Sequence, residues 1–310
     1  MASALSPKMA ARDFARDLDL SDDEVVSLLD LTARVKRSPT EYGHALDGKY
    51  ICLLFEKPSL RTRLTFELAI KQLGGDAVVC DGPVGAREPL KDVARNIERW
   101  VQALVVRSFL QSTIDELAHW STAPVINALS DRYHPCQALA DMFTLRERFG
   151  DLRGVKLAFV GDGNNVAHSL MLNASRLGMR FSIATPKGYE PDPEIVAQAE
   201  GLAALSGGRL EMGHTPAEAV DGAHAVYTDV WASMGQEKEA AARRRKFQAF
   251  QVNEDLLDKA LPGAIFMHCL PAKRGEETVD HVMESRRSIV FDQAENRLHA
   301  QKALLLMLLA

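Results

Sequence analysis

Cysteine is scarce and scattered. Cys52, Cys80, Cys136 and Cys269 are the only four in 310 residues, and no two form a C-x-x-C pair. That spacing argues against a disulfide framework or a zinc knuckle and makes a reducing cytosol the natural setting. Long apolar runs are missing too: the longest clean one, Ala303 to Ala310, is too short to span a bilayer. The stretch Met1 to Leu20 lacks the apolar core of a signal peptide, and Asp13, Asp17 and Asp19 speak against an organellar transit peptide. Positive charge is not in excess. Lys plus Arg is 37 against 42 Asp plus Glu, a formal net charge of −5. Nucleic acid and anionic membranes therefore find no general basic surface, and any affinity for anions must come from a local cluster of cations.

What is present is ordinary globular sequence, 46% hydrophobic and 25% charged. Its length suits two domains of roughly 150 residues each. Ser21-Asp22-Asp23-Glu24 forms a capping box, followed by a helical stripe of Val25, Leu28, Leu29, Leu31 and Val35. Strand patterns occur at Tyr50 to Phe55, Ala77 to Cys80, Leu104 to Arg107 and Pro124 to Ala128. Helices are expected from Ser59 to Leu73, from Leu90 to Val101, and from His134-Pro135 to about Phe149-Gly150. The second half repeats the rhythm. Strands are expected at Val155 to Val160, Phe181 to Ala184, Leu210 to Gly213, Ala225 to Asp229, Ala264 to His268 and Ser288 to Phe291. Helices follow Gly163 through Leu177 and cover Pro193 to Leu205 and Ala294 to Leu309. Alternating strands and helices predict an α/β protein of two doubly wound parallel-sheet domains joined by interdomain helices. Ligands in such sheets bind beyond the carboxyl ends of the strands, so the loops there deserve the closest reading.

The first such loop, Phe55-Glu56-Lys57-Pro58-Ser59-Leu60-Arg61-Thr62-Arg63, enters a helix with hydroxyl and guanidinium groups in its first turn. Free N–H groups, the helix dipole and the Arg61 fork make an anion site, while plain capping by Ser59 with solvated arginines is the competing reading. Arg107 and Ser108 end the next strand, and His134-Pro135-Cys136-Gln137 opens a helix. Each is unremarkable alone, but three consecutive β–α loops offering donors and positive charge point to an anionic ligand. Gly161-Asp162-Gly163-Asn164-Asn165-Val166 begins like a dinucleotide fingerprint but has Val166 at the third glycine and no acid at Thr185, which disfavours NAD. It offers either two amides to a small ligand or an Asn helix cap. Asp229-Val230-Trp231-Ala232-Ser233-Met234-Gly235 combines a carboxylate, a hydroxyl and a glycine bend suited to an ammonium group. His268-Cys269-Leu270-Pro271 ends an apolar strand, where Cys269 is either a small buried hydrophobe or a reactive thiol. Arg243-Arg244-Arg245-Lys246 reads as a solvated helix face.

Through FEKPSLRTR, HPCQALAD, GDGNN, DVWASMG, HCLP and AENR, and over nearly its full length, the chain resembles the aspartate/ornithine carbamoyltransferase family. DVWASMG together with HCLP points to its ornithine-specific members. The resemblance implies that Ser59, Leu60, Arg61 and Thr62 bind the phosphate of carbamoyl phosphate. Arg107, His134 and Gln137 would complete that site, Arg107 and His134 reaching the carbamoyl oxygen, with Arg297 as a further contact. It also implies that Cys269 and Leu270 touch both substrates and that Asn165, Asp229, Ser233 and Met234 hold L-ornithine. Cys269 would accept the amine proton, with Arg61, Arg107 and His134 as cationic donors to developing negative charge.

The implied domains are 1–146 plus 293–310 for carbamoyl phosphate and 147–292 for ornithine. The implied assembly is a homotrimer or a multiple of it in the cytoplasm, in arginine biosynthesis. Transfer from an already activated donor needs no metal or organic cofactor, and neither nucleic acid nor membrane is an expected partner. Two positions depart from many relatives. Leu60 stands where they carry Thr, and Pro83 stands where the loop Asp81 to Pro89, which in them reaches a neighbouring subunit's site, carries Gln. Among other amine acceptors, aspartate would need a cationic pocket, N-acetylornithine would have little use for Asp229, and putrescine lacks a carboxylate for Asn165. A nicotinamide-dependent dehydrogenase would rest on Gly161-Asp162-Gly163 alone.

Overall fold

The computed structural model describes residues 7–232 and 237–310. The chain divides into two compact units, Met1–Phe143 with Glu295–Ala310, and Thr144–Ala294.

The first unit opens with α1 (Asp22–Arg37) and alternates β1 (Tyr50–Phe55), α2 (Leu60–Gln72), β2 (Asp76–Asp81), α3 (Leu90–Ile97), β3 (Ala103–Arg107), α4 (Gln111–Trp120) and β4 (Val125–Leu129). Helix α5 (Pro135–Phe149) runs on across the boundary between the units. The capping box forms as its sequence dictates. Ser21 Oγ accepts from the Glu24 N–H at 3.3 Å, and Glu24 Oε2 accepts from the Ser21 N–H at 2.7 Å. Val25, Leu28, Leu29, Leu31 and Val35 are all buried beneath it. The four strands are parallel in the order β2-β1-β3-β4. On one face Cys52, Leu54, Leu104 and Val106 pack against Ala94 of α3 and Ile114 and Leu117 of α4.

The second unit carries β5 (Lys156–Val160), α6 (Asn165–Arg176), β6 (Arg180–Ala184), α7 (Pro193–Ser206), β7 (Arg209–Gly213), α8 (Pro216–Val220) and β8 (Ala225–Tyr227). Helices α9 (Ala240–Phe247) and α10 (Glu254–Leu257), strand β9 (Ile265–Met267) and α11 (Asp280–Met283) follow, and α12 (Val290–Leu309) starts here but belongs to the first unit from Glu295 on. Its five strands are parallel in the order β7-β6-β5-β8-β9. Ala158, Val160, Val226 and Phe266 pack with Val220, Leu256 and Leu257.

Each sheet therefore has a point where the strand order reverses, between β1 and β3 in the first unit and between β5 and β8 in the second. Connections leave the sheet in opposite directions there and open a crevice at the strand ends. The loops at these points are 56–59 and the one after Arg107, and 161–164 and the one after Tyr227.

Three sequence expectations are corrected. Ser288 to Phe291 is no strand: Ser288 makes a single parallel bridge to Phe266, and α12 begins at Val290, a turn earlier than Ala294. The helix from Leu90 ends at Ile97, with Val101 lying beyond it. Arg243 does not face solvent with its basic neighbours but is buried.

Candidate functional site

In the first unit, Ser59 is the N-cap of α2, its Oγ accepting from the Thr62 N–H at 3.3 Å. Capping thus coexists with the exposed N-terminal turn rather than replacing it. Thr62 is buried and accepts at its hydroxyl from Arg297 Nη2 at 2.6 Å, tying α12 to the anion loop. Arg107, at the end of β3, is buried, and so are His134, Gln137 and Lys57. Lys57 Nζ sits 4.6 Å from the ring centroid of Phe109, and Gln137 Nε2 donates to Asp141 Oδ1 at 2.8 Å. Arg61 is half-buried on α2, and Leu60 is exposed.

Burial first, and then the charges of Arg297, Arg107 and Lys57, hold His134 well below its ordinary value. That shift favours the neutral imidazole and speaks against its reading as a cationic donor. The positive charge beside His134 belongs to Arg297, Arg107 and Lys57. Three buried cations around a neutral imidazole favour an anion, as the local cluster expected from an acidic chain requires.

One positioning group escaped the sequence reading. Glu56 Oε1 accepts from the Val84 N–H at 2.9 Å, and its Oε2 accepts from the Ser108 hydroxyl and, at 3.2 Å, from the Phe109 N–H. It fixes the loops beyond β2 and β3 relative to the anion loop.

In the second unit the strand register gathers a second set of polar side chains. Phe159, Tyr227 and Met267 are aligned across β5, β8 and β9. Two residues further on lie Gly161, Asp229 and Cys269, which the parallel pairing carries to one end of the sheet. Cys269 Sγ donates to Asp229 Oδ1 at 3.1 Å, and Asn164 Nδ2 donates to Asp229 Oδ2 at 2.8 Å. Asn164 also caps α6, its Oδ1 accepting from the N–H groups of Val166 and Ala167 at 3.0 and 3.1 Å. Asn165, the neighbouring amide, is buried at the first position of the helix. Asp162, in the same turn, is pushed up to about 6, by burial first, against the pull of Arg243. Ser233 and Met234 lie outside the described residues.

Leu270 adopts φ +59° directly after Cys269. A non-glycine residue there stores about 1–3 kcal/mol of strain, which the surroundings must hold in place. His268 does so: its Nδ1 accepts from the Leu270 N–H at 2.8 Å, and its Nε2 lies 3.2 Å from Glu277 Oε1. With Nδ1 accepting, the proton is on Nε2, facing the carboxylate. Asp229, His268 and Cys269 bring one potential metal-ligand atom each within 4.8 Å of one another. Both nitrogens of His268 are already used, so this trio suits orientation and proton handling better than metal coordination.

The sequence-derived residues thus fall into two groups. Ser59, Leu60, Arg61, Thr62, Arg107, His134, Gln137 and Arg297 belong to the first unit, and Asn165, Asp229, Cys269 and Leu270 to the second. Asn164, legible in sequence as a ligand amide or a cap, is the cap of α6 and also binds Asp229. Lys57 stood inside a recognised loop, but its burial has no local signal.

Comparison with known proteins also finds two segments, the second of which extends past Ala294 into the part of α12 that belongs to the first unit. Residues 12–147 match the family described as aspartate/ornithine carbamoyltransferase, carbamoyl-P binding domain, and residues 153–308 match its Asp/Orn binding domain. An ornithine carbamoyltransferase of Thermus thermophilus is 53% identical over 289 residues, covering 92% of this chain and 93% of the relative. An anabolic ornithine carbamoyltransferase of Pyrococcus furiosus is 48% identical over 307 residues and 97% of both chains. The solved structure of ornithine carbamoyltransferase from Pyrococcus furiosus superposes with a TM-score of 0.93 at 46% identity, covering 100% of this chain and 99% of that one.

Proposed function

The chain belongs to the aspartate/ornithine carbamoyltransferase family, and from that premise we propose that it transfers the carbamoyl group of carbamoyl phosphate to the side-chain amine of L-ornithine, giving L-citrulline and phosphate. The observation that carries the choice of acceptor is Asp229, a buried carboxylate held by Asn164 and Cys269 at a sheet switch point. A fixed anion there suits the ammonium of an amino acid and repels a dicarboxylate acceptor.

Carbamoyl phosphate belongs on the first unit. The N–H groups at the start of α2, with Ser59, Leu60 through its backbone, Arg61 and Thr62, take the phosphate, and Arg107, Gln137 and Arg297 complete the site. Neutral His134 donates a hydrogen bond to the carbamoyl oxygen. As the amine attacks, negative charge grows on that oxygen and on the departing phosphate, and pre-placed Arg61, Arg107 and Arg297 stabilise both without reorganising.

Ornithine belongs on the second unit, with Asn165, Asp229, Ser233 and Met234 as its contacts. If its side-chain amine titrates like lysine, near 10.4, the neutral form at pH 7 lies about 4.6 kcal/mol uphill. A group must take the proton as the C–N bond forms, and Cys269 is that group: its S–H proton passes to Asp229 Oδ1, 3.1 Å away, as the sulfur takes the proton from the amine. Leu270 follows it as a contact for both substrates.

An assembly of three chains, or a multiple of three, fits the exposed stripe Leu60, Leu64 and Leu68 on α2 and exposed Val78 on β2, an apolar surface that a partner would cover. No helix among the described residues is long and apolar enough to cross a membrane, and the four scattered cysteines suit a reducing cytoplasm. Likeness to an anabolic relative supports a role in arginine biosynthesis. Incubating the protein with carbamoyl phosphate and L-ornithine tests the reading. Citrulline and phosphate should appear one for one, and phosphate without citrulline would refute it.

A further inference from the structure

Helix α9 carries four consecutive basic residues, and one of them turns inward. Arg243 is buried. Its Nη1 donates to Asp162 Oδ2 at 2.8 Å and to the Trp231 carbonyl at 2.9 Å, and its Nε donates to Glu239 Oε2 at 3.1 Å. Its guanidinium also lies 4.8 Å from the ring centroid of Tyr189. One planar cation therefore joins the turn after β5, the segment after β8 and the strap around Tyr189.

All three segments bear on Asp229. The Asp162 carbonyl accepts from the Asn164 N–H at 2.8 Å, and Asn164 in turn donates to Asp229. Trp231 lies two residues beyond Asp229. The Tyr189 carbonyl accepts from the Gly163 N–H at 2.9 Å, and the strap packs so closely that a Cβ on Gly163 would lie 2.3 Å from Pro191 N. Arg243 thus braces the turn that supports Asn164 and the chain that carries Asp229.

We propose that Arg243 is a positioning residue for the acceptor: it touches no substrate and holds Asp229, through Asp162, Asn164 and the Trp231 carbonyl, where the acceptor ammonium binds. The proposal rests on the assignment of Asp229 as an acceptor contact. Burying a guanidinium is unfavourable unless its donors are matched, and an apolar side chain would fill the same volume with less desolvation. Simultaneous donation to a carboxylate and a carbonyl, with stacking on a ring, uses features that lysine lacks.

The test compares Arg243→Met and Arg243→Lys with the unchanged full-length protein, alone and combined with Asp229→Asn. Arg243→Met raises the KM for L-ornithine at least ten-fold and leaves that for carbamoyl phosphate within two-fold. Arg243→Lys stays at least three-fold impaired, and it carries the test if Arg243→Met does not fold. In the Asp229→Asn background, Arg243→Met adds less than two-fold. An ornithine KM within two-fold of the unchanged protein, equal shifts for both substrates, or full additivity would each overturn the proposal. Turnover by the unchanged protein judges the function separately, and the same ratios are read on whichever amine it uses. If it carbamoylates no amine, the functional reading falls, and Arg243 is judged by iodoacetamide alkylation of Cys269, located by peptide mapping. A three-fold rate change in the variant supports the brace, and an unchanged rate overturns it.

Discussion

Replacing Asp229 with Asn removes a charge while keeping the shape of the side chain. Asp229 is only 6% exposed and is bound at both oxygens, by Asn164 Nδ2 at 2.8 Å and Cys269 Sγ at 3.1 Å. An amide turned with its oxygen to Asn164 keeps the better of these bonds, so the fold should survive. The attraction for an ammonium does not. Two unit charges about 4 Å apart in an effective dielectric near 20 attract by about 4 kcal/mol. Truncating one member of a desolvated pair typically weakens binding by about 2–5 kcal/mol. At about 1.4 kcal/mol per decade, kcat/KM for L-ornithine should fall between about 30-fold and a few thousand-fold. The affinity for carbamoyl phosphate, whose proposed contacts are chiefly in the other unit, should stay within two-fold. Asp162, held high at about 6 partly by its proximity to Asp229, should titrate lower in the variant. Initial rates with ornithine varied at saturating carbamoyl phosphate give the first number and direct titration gives the second. A kcat/KM for ornithine within three-fold of the unchanged protein would refute the assignment of Asp229.

Cys269→Ala should lower kcat by about 10²–10⁴-fold, the usual range for loss of a proton acceptor, with little change in carbamoyl phosphate affinity; an unchanged kcat removes Cys269 from the chemistry. His134 is held well below its ordinary value in the folded protein, so as pH falls through about 6.5 the unfolded chain takes up the proton first. Its contribution to stability is therefore whole above that pH and is lost below it by up to about 1.4 kcal/mol per pH unit, until the depressed value is reached. Asp162 has the opposite sign between 3.8 and about 6, where the folded state holds the proton. The difference in urea midpoint between the unchanged protein and His134→Gln isolates the histidine, and a difference independent of pH from 6.5 to 5 would contradict its burial as a neutral group. Gly163→Ala sets a Cβ against the backbone at Pro191 and should destabilise the protein by about 1–3 kcal/mol while raising the KM for ornithine. An unchanged thermal midpoint would show that the strap yields freely.

The parallel strands were legible because they are apolar runs closed by turn residues, and β1 ends where its pattern does. Helix α4 gave no such signal: its N-cap is Leu110, with no side-chain cap. Ile289 and Val290 have the β-branched look of a strand, yet the chain makes one bridge at Ser288 and turns into α12, where the Gln293 N–H donates to the Ile289 carbonyl. Much the same division holds at the site. Loops beyond strand ends are chemically conspicuous in sequence, and the switch points of the two sheets explain why those loops matter. Arg243 was misread because its partner Asp162 lies 81 residues away, and a run of basic residues carries no mark of which one turns inward. Its one local clue was helical spacing, four residues after Glu239 and four before buried Phe247. The depressed value of His134 was equally hidden, since it comes first from burial and then from the charge of Arg297, 163 positions further on by the difference of their residue numbers.

The measurement that bears most directly on the account is kcat/KM for carbamoyl transfer to L-ornithine, N-acetylornithine, putrescine and L-aspartate, taken in parallel at fixed carbamoyl phosphate. An ammonium site built around Asp229, with Asn165 as a contact for the carboxylate, predicts ornithine ahead of every other amine by at least ten-fold and no turnover of aspartate. A preference for N-acetylornithine, putrescine or aspartate would contradict the acceptor site while leaving the carbamoyl phosphate site in the first unit standing.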